Sequence, residues 1–158
     1  MLGKQLTFKL PEIDRKETQQ KVEDALEMYR MYLLTVPEER LPKVTASYTL
    51  VPPSNSNQFS SSVEDAVIAK VGFEIERDAY IERIRKAVNR LTAREREMVI
   101  RKYFGEEELF DYEVYNELGM GETFYNQKFK PRVFYKLAFI LRIEVYKNQT
   151  GEVKPKEI

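Results

Sequence analysis

The sequence predicts an all-α protein in which a helical arm precedes a multi-helix domain. Apolar residues recur at helical spacing through most of the chain, and two Ser/Thr-x-x-Glu capping boxes open long apolar stretches. One proline- and serine-rich stretch separates the two helical parts. We therefore divide the chain into an arm (1–36), a linker (37–60), a helical domain (61–147) and a flexible tail (148–158).

Composition excludes several catalytic and metal-binding classes. The 158 residues contain no Cys and no His, which removes disulfides, zinc-finger ligand sets, Ser-His and Cys-His nucleophile pairs and imidazole bases. The acidic run 106–108 has no paired acid at helical spacing on a predicted pocket. We expect a protein that is not an enzyme, without catalytic residues, cofactor or metal.

The sequence offers no membrane anchor. No apolar run approaches the ~20 residues that span a bilayer, and the N-terminus lacks the apolar core of a signal peptide. We expect a cytoplasmic protein with no membrane partner.

The arm is predicted to be an amphipathic helix from Ile13 to about Leu34, ending before Pro37. Its apolar stripe recurs at helical spacing and includes Val22, Leu26, Tyr29 and Leu33. We expect this helix either to self-associate or to dock on the next one. The stretch 37–60 is too rich in proline and serine for a regular element, so we expect a linker or an ordered arm.

Two capping boxes mark the next helices. The box SSVE at 61–64 begins a helix that extends to about residue 90, and the box TARE at 92–95 begins a helix over 93–104. In each box the Ser or Thr oxygen accepts from a free amide of the first turn, and the Glu reaches back to the cap.

A short helix, a turn and a further helix follow residue 110. Asp111 is expected to cap a helix that ends at Leu118, and Gly119 to adopt the positive φ that the turn requires. Met120 should fill the angle between the helices, and Tyr125 should pack inward. This is the helix-turn-helix arrangement, in which the second helix lies in the major groove of DNA. Helical hairpins that bind nothing can share this spacing.

The second helix carries the candidate DNA-binding side chains. Asn126 and Gln127 can each offer a donor and an acceptor to adenine, and Thr123 can bond a base or a phosphate. Lys128 and Lys130 suit phosphates. The predicted DNA-binding set also includes an acid at the helix start, two bases further along and two arginines of the preceding helix: Glu122, Arg132, Lys136, Arg94 and Arg96.

Charge is segregated along a neutral chain of 26 basic and 26 acidic residues. Bases dominate 83–102, acids alone occupy 106–122, and bases alone occupy 128–142. Blocks of this kind can place a basic face on a neutral protein. Ordinary solvated helix faces are the alternative.

Pro131 interrupts the second helix. Inside a helix it would remove an amide donor and clash with the carbonyl of Gln127, at roughly 3 kcal/mol, whereas at the first position of a new helix it costs little. We expect the DNA-reading helix to end or kink near Lys130 and a separate helix to run from Pro131 to Leu141. The stretch IEVYK then pairs as a strand or finishes that helix.

Two stretches resemble known DNA-binding families. The region-four helix-turn-helix of bacterial sigma factors is similar to LTAREREMVIRKYF followed by DYEVYNELGM. The C-terminal block of the ArpU family of phage transcriptional regulators resembles GMGETFYNQKFKPRVFYKLAFILRIEVYK. The ArpU resemblance covers nearly the whole chain, with specific motifs in the last sixty or so residues. Matching positions are Gly119, Met120, Glu122, Thr123, Tyr125, Lys128, Lys136, Leu137, Ala138 and Leu141; the chain departs from the pattern at Gly121, Asn126, Gln127 and Pro131.

The ArpU resemblance implies a sequence-specific DNA-binding regulator of phage or prophage late genes, including lysis and packaging functions. Its partner would be double-stranded DNA in the cytoplasm of a bacterial host, and a homodimer and contact with host RNA polymerase stay open. The alternative is a helical packaging or interaction protein, such as a small-terminase-like DNA-recognising subunit. A promoter-reporter response separates the two, since only a regulator changes transcription from a late promoter.

Overall fold

Helices dominate the protein, as the sequence predicts. The computed structural model describes residues 12–53, 68–147 and 153–155, with side chains described for 12–53 and 71–147. In chain order the helices are α1 (Arg15–Leu33), α2 (Ile68–Asn89), α3 (Ala93–Tyr103), α4 (Asp111–Glu117), α5 (Glu122–Phe124) and α6 (Lys130–Leu141), with a π-helical turn (Tyr125–Phe129) joining the last two. Two small antiparallel pairs accompany them: β1 (Lys43–Val44) with β2 (Leu50–Val51), and β3 (Val145–Lys147) with β4 (Val153–Pro155).

The capping box at 92–95 is confirmed. The Thr92 amide donates to Glu95 Oε1 at 2.9 Å, and the Glu95 amide donates to Thr92 Oγ1 at 3.4 Å. The other predicted box, at 61–64, lies outside the described residues. The prediction that Asp111 caps α4 is wrong. Phe110 is the N-cap, and its amide donates to Glu113 Oε2 at 2.7 Å. The Asp111 carboxylate faces other partners, described below.

Helix α1 is part of the main core. Val22 and Leu26 are fully buried and Tyr29 is 1% exposed, in one apolar cluster with residues of α2, α3 and α6. The Tyr80 hydroxyl of α2 donates to the Ala25 carbonyl at 2.6 Å. Docking of the first helix on α2 is therefore confirmed, and α1 also packs against α6.

Residues 38–51 contain regular elements that the sequence did not indicate. A 3₁₀ turn over Glu38–Arg40 leads into the β1–β2 pair. The Leu50 amide donates to Asn89 Oδ1 at 3.0 Å, and Asn89 Nδ2 donates back to the Leu50 carbonyl at 2.8 Å. Because Asn89 pairs both backbone groups of a buried leucine, this segment is held to the end of α2 and the ordered alternative is confirmed here.

The chain end beyond α6 returns to the core as a strand. Arg142 adopts the left-handed conformation (φ 57°) that ends α6. β3 then pairs with β4 and bridges to Ile13 through Tyr146, so the strand alternative for IEVYK is confirmed. The expected flexible tail is wrong for residues 153–155, which pair as a strand; Pro155 is tolerated there because it stands at the last ladder position of a sheet edge.

Candidate nucleic-acid interface

The turn between α4 and α5 is closed by paired backbone bonds. The Met120 amide donates to the Tyr115 carbonyl at 2.8 Å, and the Gly119 amide donates to the Asn116 carbonyl at 3.1 Å. This is the Schellman motif, and its C′ residue Gly119 has the required positive φ of 68°. Arg94 Nη2 donates to the Leu118 carbonyl at 2.7 Å. The turn is therefore held by its own backbone bonds and by the Arg94 side chain of α3. The positive φ predicted for Gly119 is confirmed.

Aromatic packing sets the position of the helix after the turn. Tyr125 is fully buried, as predicted, and its ring lies 5.6 Å from that of Tyr115. Phe129 is also buried, 6.4 Å from the Tyr125 ring. The tilted ring of Tyr115 therefore packs α4 against the buried side of the second helix.

Asp111 ties α4 to this second helix. Its carboxylate accepts from the Tyr125 hydroxyl at 2.8 Å and from Lys130 Nζ at 3.0 Å, and Lys102 Nζ of α3 lies 3.4 Å away. Burial alone would raise the pKa of Asp111, but the hydroxyl and the ammonium of Lys130 outweigh it, and the pKa lies below its usual range. Burial, then the bond to Asp111, raises the pKa of Tyr125. Asp111 is charged and Tyr125 is a neutral donor.

A π-helical turn accommodates Pro131. Across Tyr125–Phe129 the helix widens, and the Lys130 amide donates to the Tyr125 carbonyl five residues back. Pro131 follows directly, within the first turn of α6. A proline in an α-helix clashes with the carbonyl four residues earlier, and a turn with an extra residue moves that carbonyl away. The helix therefore does not end at Lys130; the irregularity at the proline is a π-helical turn, a feature frequent at functional sites.

Helix α5 and the π-helical turn together present a run of polar side chains to solvent. We name this set the reading segment; all its members are exposed and, within the described residues, none makes a side-chain hydrogen bond or ion pair: Glu122, Thr123, Asn126, Gln127 and Lys128. Buried Tyr125 and Phe129 hold the opposite side. The structure thus brings together five of the ten predicted site residues on one short surface.

Arg132 lies one helical turn further along α6 and is also exposed and unpaired among the described residues. Lys128 and Arg132 are the cations of this helix that remain available to an outside anion.

The other predicted site residues are engaged within the protein. Lys130 pairs with Asp111 and lies 5.5 Å above the Phe134 ring. Arg94 is bonded to the turn. Arg96 Nε donates to the Tyr48 carbonyl at 3.2 Å, and its Nη1 donates to the Leu91 carbonyl at 2.8 Å. Lys130, Arg94 and Arg96 therefore use at least some of their donor groups to hold neighbouring parts of the protein together.

Lys136 belongs to a partly buried pair that sequence reasoning did not anticipate. Its Nζ lies 2.8 Å from a carboxylate oxygen of Glu95, whose side chain is only 4% exposed. Burial would raise the pKa of Glu95, but hydrogen bonds from Lys136 and Thr92 outweigh it and lower that pKa. Glu95 therefore caps α3 and anchors α6 at once.

Comparison with known proteins indicates that this protein is related to phage proteins. Over 140 residues the chain is 34% identical to an uncharacterized phage-related protein, Lin1259/Lin1739, of Listeria innocua, covering 89% of this chain and 97% of the relative. It is 27% identical over 141 residues to Protein Gp66 of Listeria phage A118, covering 87% and 96%. No protein-family profile matches the chain, and no solved structure does. Within the described ranges, no helix has the length and apolarity to cross a bilayer. The chain therefore belongs to the family of phage-related Listeria proteins represented by Lin1259/Lin1739.

Proposed function

We propose that this protein is a sequence-specific DNA-binding regulator of phage or prophage late genes, and that the reading segment enters the major groove as the second helix of a helix-turn-helix. The observation that carries the proposal is the reading segment itself. Five polar side chains stand exposed and unpaired within the described residues, directly after a turn fixed by a Schellman motif. Exposed polar side chains on a rigid element are suited to reading base edges.

The residues divide by the kind of contact they can make. Asn126 and Gln127 are neutral and can discriminate bases without releasing counterions. Lys128 and Arg132 can each neutralise a phosphate, so this helix should contribute about two units to the salt slope of binding. Lys130 and Lys136 already neutralise Asp111 and Glu95 and should contribute less.

Glu122 gives the segment one unfavourable charge. It stands at the first position of α5, where a carboxylate interacts well with the helix dipole but repels a phosphate. We propose that it accepts from a cytosine amine or stays near the helix start, where it stabilises the first turn.

The resemblance supports this proposal, and the relatives support a phage origin. Six of the ten positions that resemble the ArpU pattern fall on the turn and the helix that follows it, at Gly119, Met120, Glu122, Thr123, Tyr125 and Lys128; the other four lie on α6. The relatives carry phage-related descriptions, which suits a phage regulator that acts in the host cytoplasm without catalysis or cofactor. A homodimer and contact with host RNA polymerase are parts of the proposal that would follow from paired half-sites and late-promoter control.

The test is a nuclease footprint of the purified protein on the genome of the phage or prophage that encodes it, followed by a late-promoter reporter. A regulator should protect a discrete site near a late promoter and change reporter expression. A footprint at a packaging site without any transcriptional response would favour the small-terminase-like alternative. Absence of any sequence-dependent protection would remove both.

A further inference from the structure

A groove on another part of the surface collects acids and aromatic rings. It lies between α1 and the connector from α3 to α4, and we name it the acidic groove. Its lining includes Glu23 and Glu27 of α1, Tyr103 of α3, and Glu108 and Phe110 of the connector. Its volume of about 280 Å³ is just below the ~300 Å³ at which small-molecule pockets begin. It suits one or two long side chains of a partner.

The charge of the groove is unbalanced. Glu23 and Glu27 lie one turn apart on α1, where like charges destabilise a helix. Glu23 accepts a hydrogen bond from the Tyr103 hydroxyl at 3.4 Å, and within the described residues neither glutamate has an ion pair. Glu108 is 79% exposed and lies 3.8 Å from Arg30. Because no cation neutralises Glu23 or Glu27 within the described residues, these two carboxylates attract a cation from outside.

The two cations of the lining are already engaged. Arg30 donates to the carbonyls of Tyr103 and Glu106 at 3.1 and 3.3 Å. Lys102 donates to the Leu109 carbonyl at 3.3 Å and pairs with Asp111. Bonds to carbonyls leave a charge in place, but Arg30 is paired with Glu108 and Lys102 with Asp111, and neither forms an ion pair with the carboxylates of α1.

An exposed aromatic pair borders the groove. Phe110 and Tyr112 are 67% and 54% exposed, and their rings stack at 5.8 Å with an interplanar angle of 10°. Exposed apolar surface beside charge is typical of an interaction site, and aromatic faces attract guanidinium and ammonium groups. The apolar surface and the negative charge together select a basic segment with apolar neighbours.

We propose that the acidic groove and the Phe110–Tyr112 pair bind an Arg- or Lys-rich segment of a partner protein. DNA is excluded from this face by the same carboxylates, since Glu106, Glu107 and Glu108 are all exposed beside it and repel phosphates. None of these residues belongs to the reading segment, so the proposal goes beyond the DNA contact and does not depend on it. A protein that contacts DNA with one surface could in this way hold a protein partner with another.

The experiment uses two synthetic peptides and the full-length protein. One peptide repeats Arg-Leu-Lys-Ala, and the other carries Glu in place of every Arg and Lys; binding is measured by calorimetry at two salt concentrations. The basic peptide should bind and the acidic one should not. Glu23→Gln with Glu27→Gln should weaken binding by about tenfold, because two carboxylate contacts are lost.

The matched control removes the same charge elsewhere. Glu38 and Glu39 are exposed on the 3₁₀ turn, and their double change to Gln should leave affinity within about twofold. Phe110→Ser with Tyr112→Ser removes only exposed rings and should also weaken binding. Circular dichroism establishes that each variant is folded.

Three results would overturn the proposal. The first is equal affinity for the acidic and basic peptides. The second is equal weakening by the groove and control variants, which would indicate general attraction of charge. The third is weaker binding of a short DNA duplex, measured without peptide, to the Phe110→Ser/Tyr112→Ser variant than to wild type, which would place nucleic acid on this face.

Discussion

The Asp111 carboxylate joins three elements, and its change to Asn should weaken the whole interface. It accepts from Tyr125 at 2.8 Å and Lys130 at 3.0 Å and pairs with Lys102 at 3.4 Å. Hydrogen bonds to a charged group contribute about 1.5–3 kcal/mol. Because the side chain is 36% exposed and Asn keeps an acceptor for Tyr125, we expect a loss of about 1–2 kcal/mol in the free energy of unfolding at pH 7.

This deficit should depend on pH in a defined direction. The folded-state pKa of Asp111 is lowered, so its contribution is fully present above the unfolded pKa of ~3.9 and is lost as the pH falls through the folded value. The difference between wild type and Asp111→Asn should therefore shrink below about pH 4. Urea unfolding at several pH values measures it.

A matched carboxylate gives the control. Asp24 is exposed on α1 and, among the described residues, accepts only from Gln20, at 2.9 Å, so Asp24→Asn should stay within about 0.5 kcal/mol of wild type. The reasoning is refuted if Asp111→Asn costs no more than Asp24→Asn at pH 7. It is equally refuted if the Asp111→Asn deficit is unchanged at pH 3.

Three further changes test the fold around the site. Gly119→Ala should cost about 1 kcal/mol because of its positive φ, whereas Gly72→Ala, in open space within α2, should stabilise by about 0.5–1 kcal/mol; equal effects in urea unfolding would contradict the turn geometry. Glu95→Gln should cost about 1–3 kcal/mol, and Lys136→Met should cost at least as much, since it leaves the buried carboxylate of Glu95 without its cation; a smaller cost for Lys136→Met would contradict the shared anchor. Leu26→Ala should cost about 2–5 kcal/mol, and a thermal midpoint equal to that of wild type would show that α1 lies outside the core.

Helix positions could be predicted from the sequence because their signals are local. The periodicity of α1, the box at 92–95 and the glycine of the α4 turn each depend on residues within one or two turns of each other. The burial of Tyr125 followed from the spacing of the turn in the same way.

The parts that were missed depend on partners distant in sequence. Leu50 pairs with Val44 in the short β1–β2 ladder, and Asn89, far along the chain, holds the Leu50 backbone to the end of α2; no local pattern indicates that attachment. Asp is a residue type typical of an N-cap, yet the Asp111 carboxylate accepts hydrogen bonds from Tyr125 and Lys130 instead. The sequence predicts that Pro131 clashes with the carbonyl of Gln127 inside an α-helix. It does not predict that a π-helical turn would relieve this clash.

The sequence predicted the exposed polar residues of the candidate site better than its basic residues. Asn126, Gln127 and Lys128 stand exposed as the pattern indicated. Lys130 and Lys136 share the same helix, but a charge block in sequence does not distinguish a cation that faces solvent from one that neutralises a buried carboxylate. Only the tertiary position of Asp111 and Glu95 makes that distinction.

The most direct measurement of the DNA-reading proposal is the ratio of affinities for a footprinted site and a scrambled duplex, across several salt concentrations. Asn126→Ala and Gln127→Ala should each lower that ratio, by an amount that corresponds to about 1–3 kcal/mol of binding free energy. Lys128→Ala should weaken both affinities alike and reduce the salt slope by about one unit. An unchanged ratio in both the Asn126 and Gln127 variants would show that this segment does not read sequence, and would contradict the account.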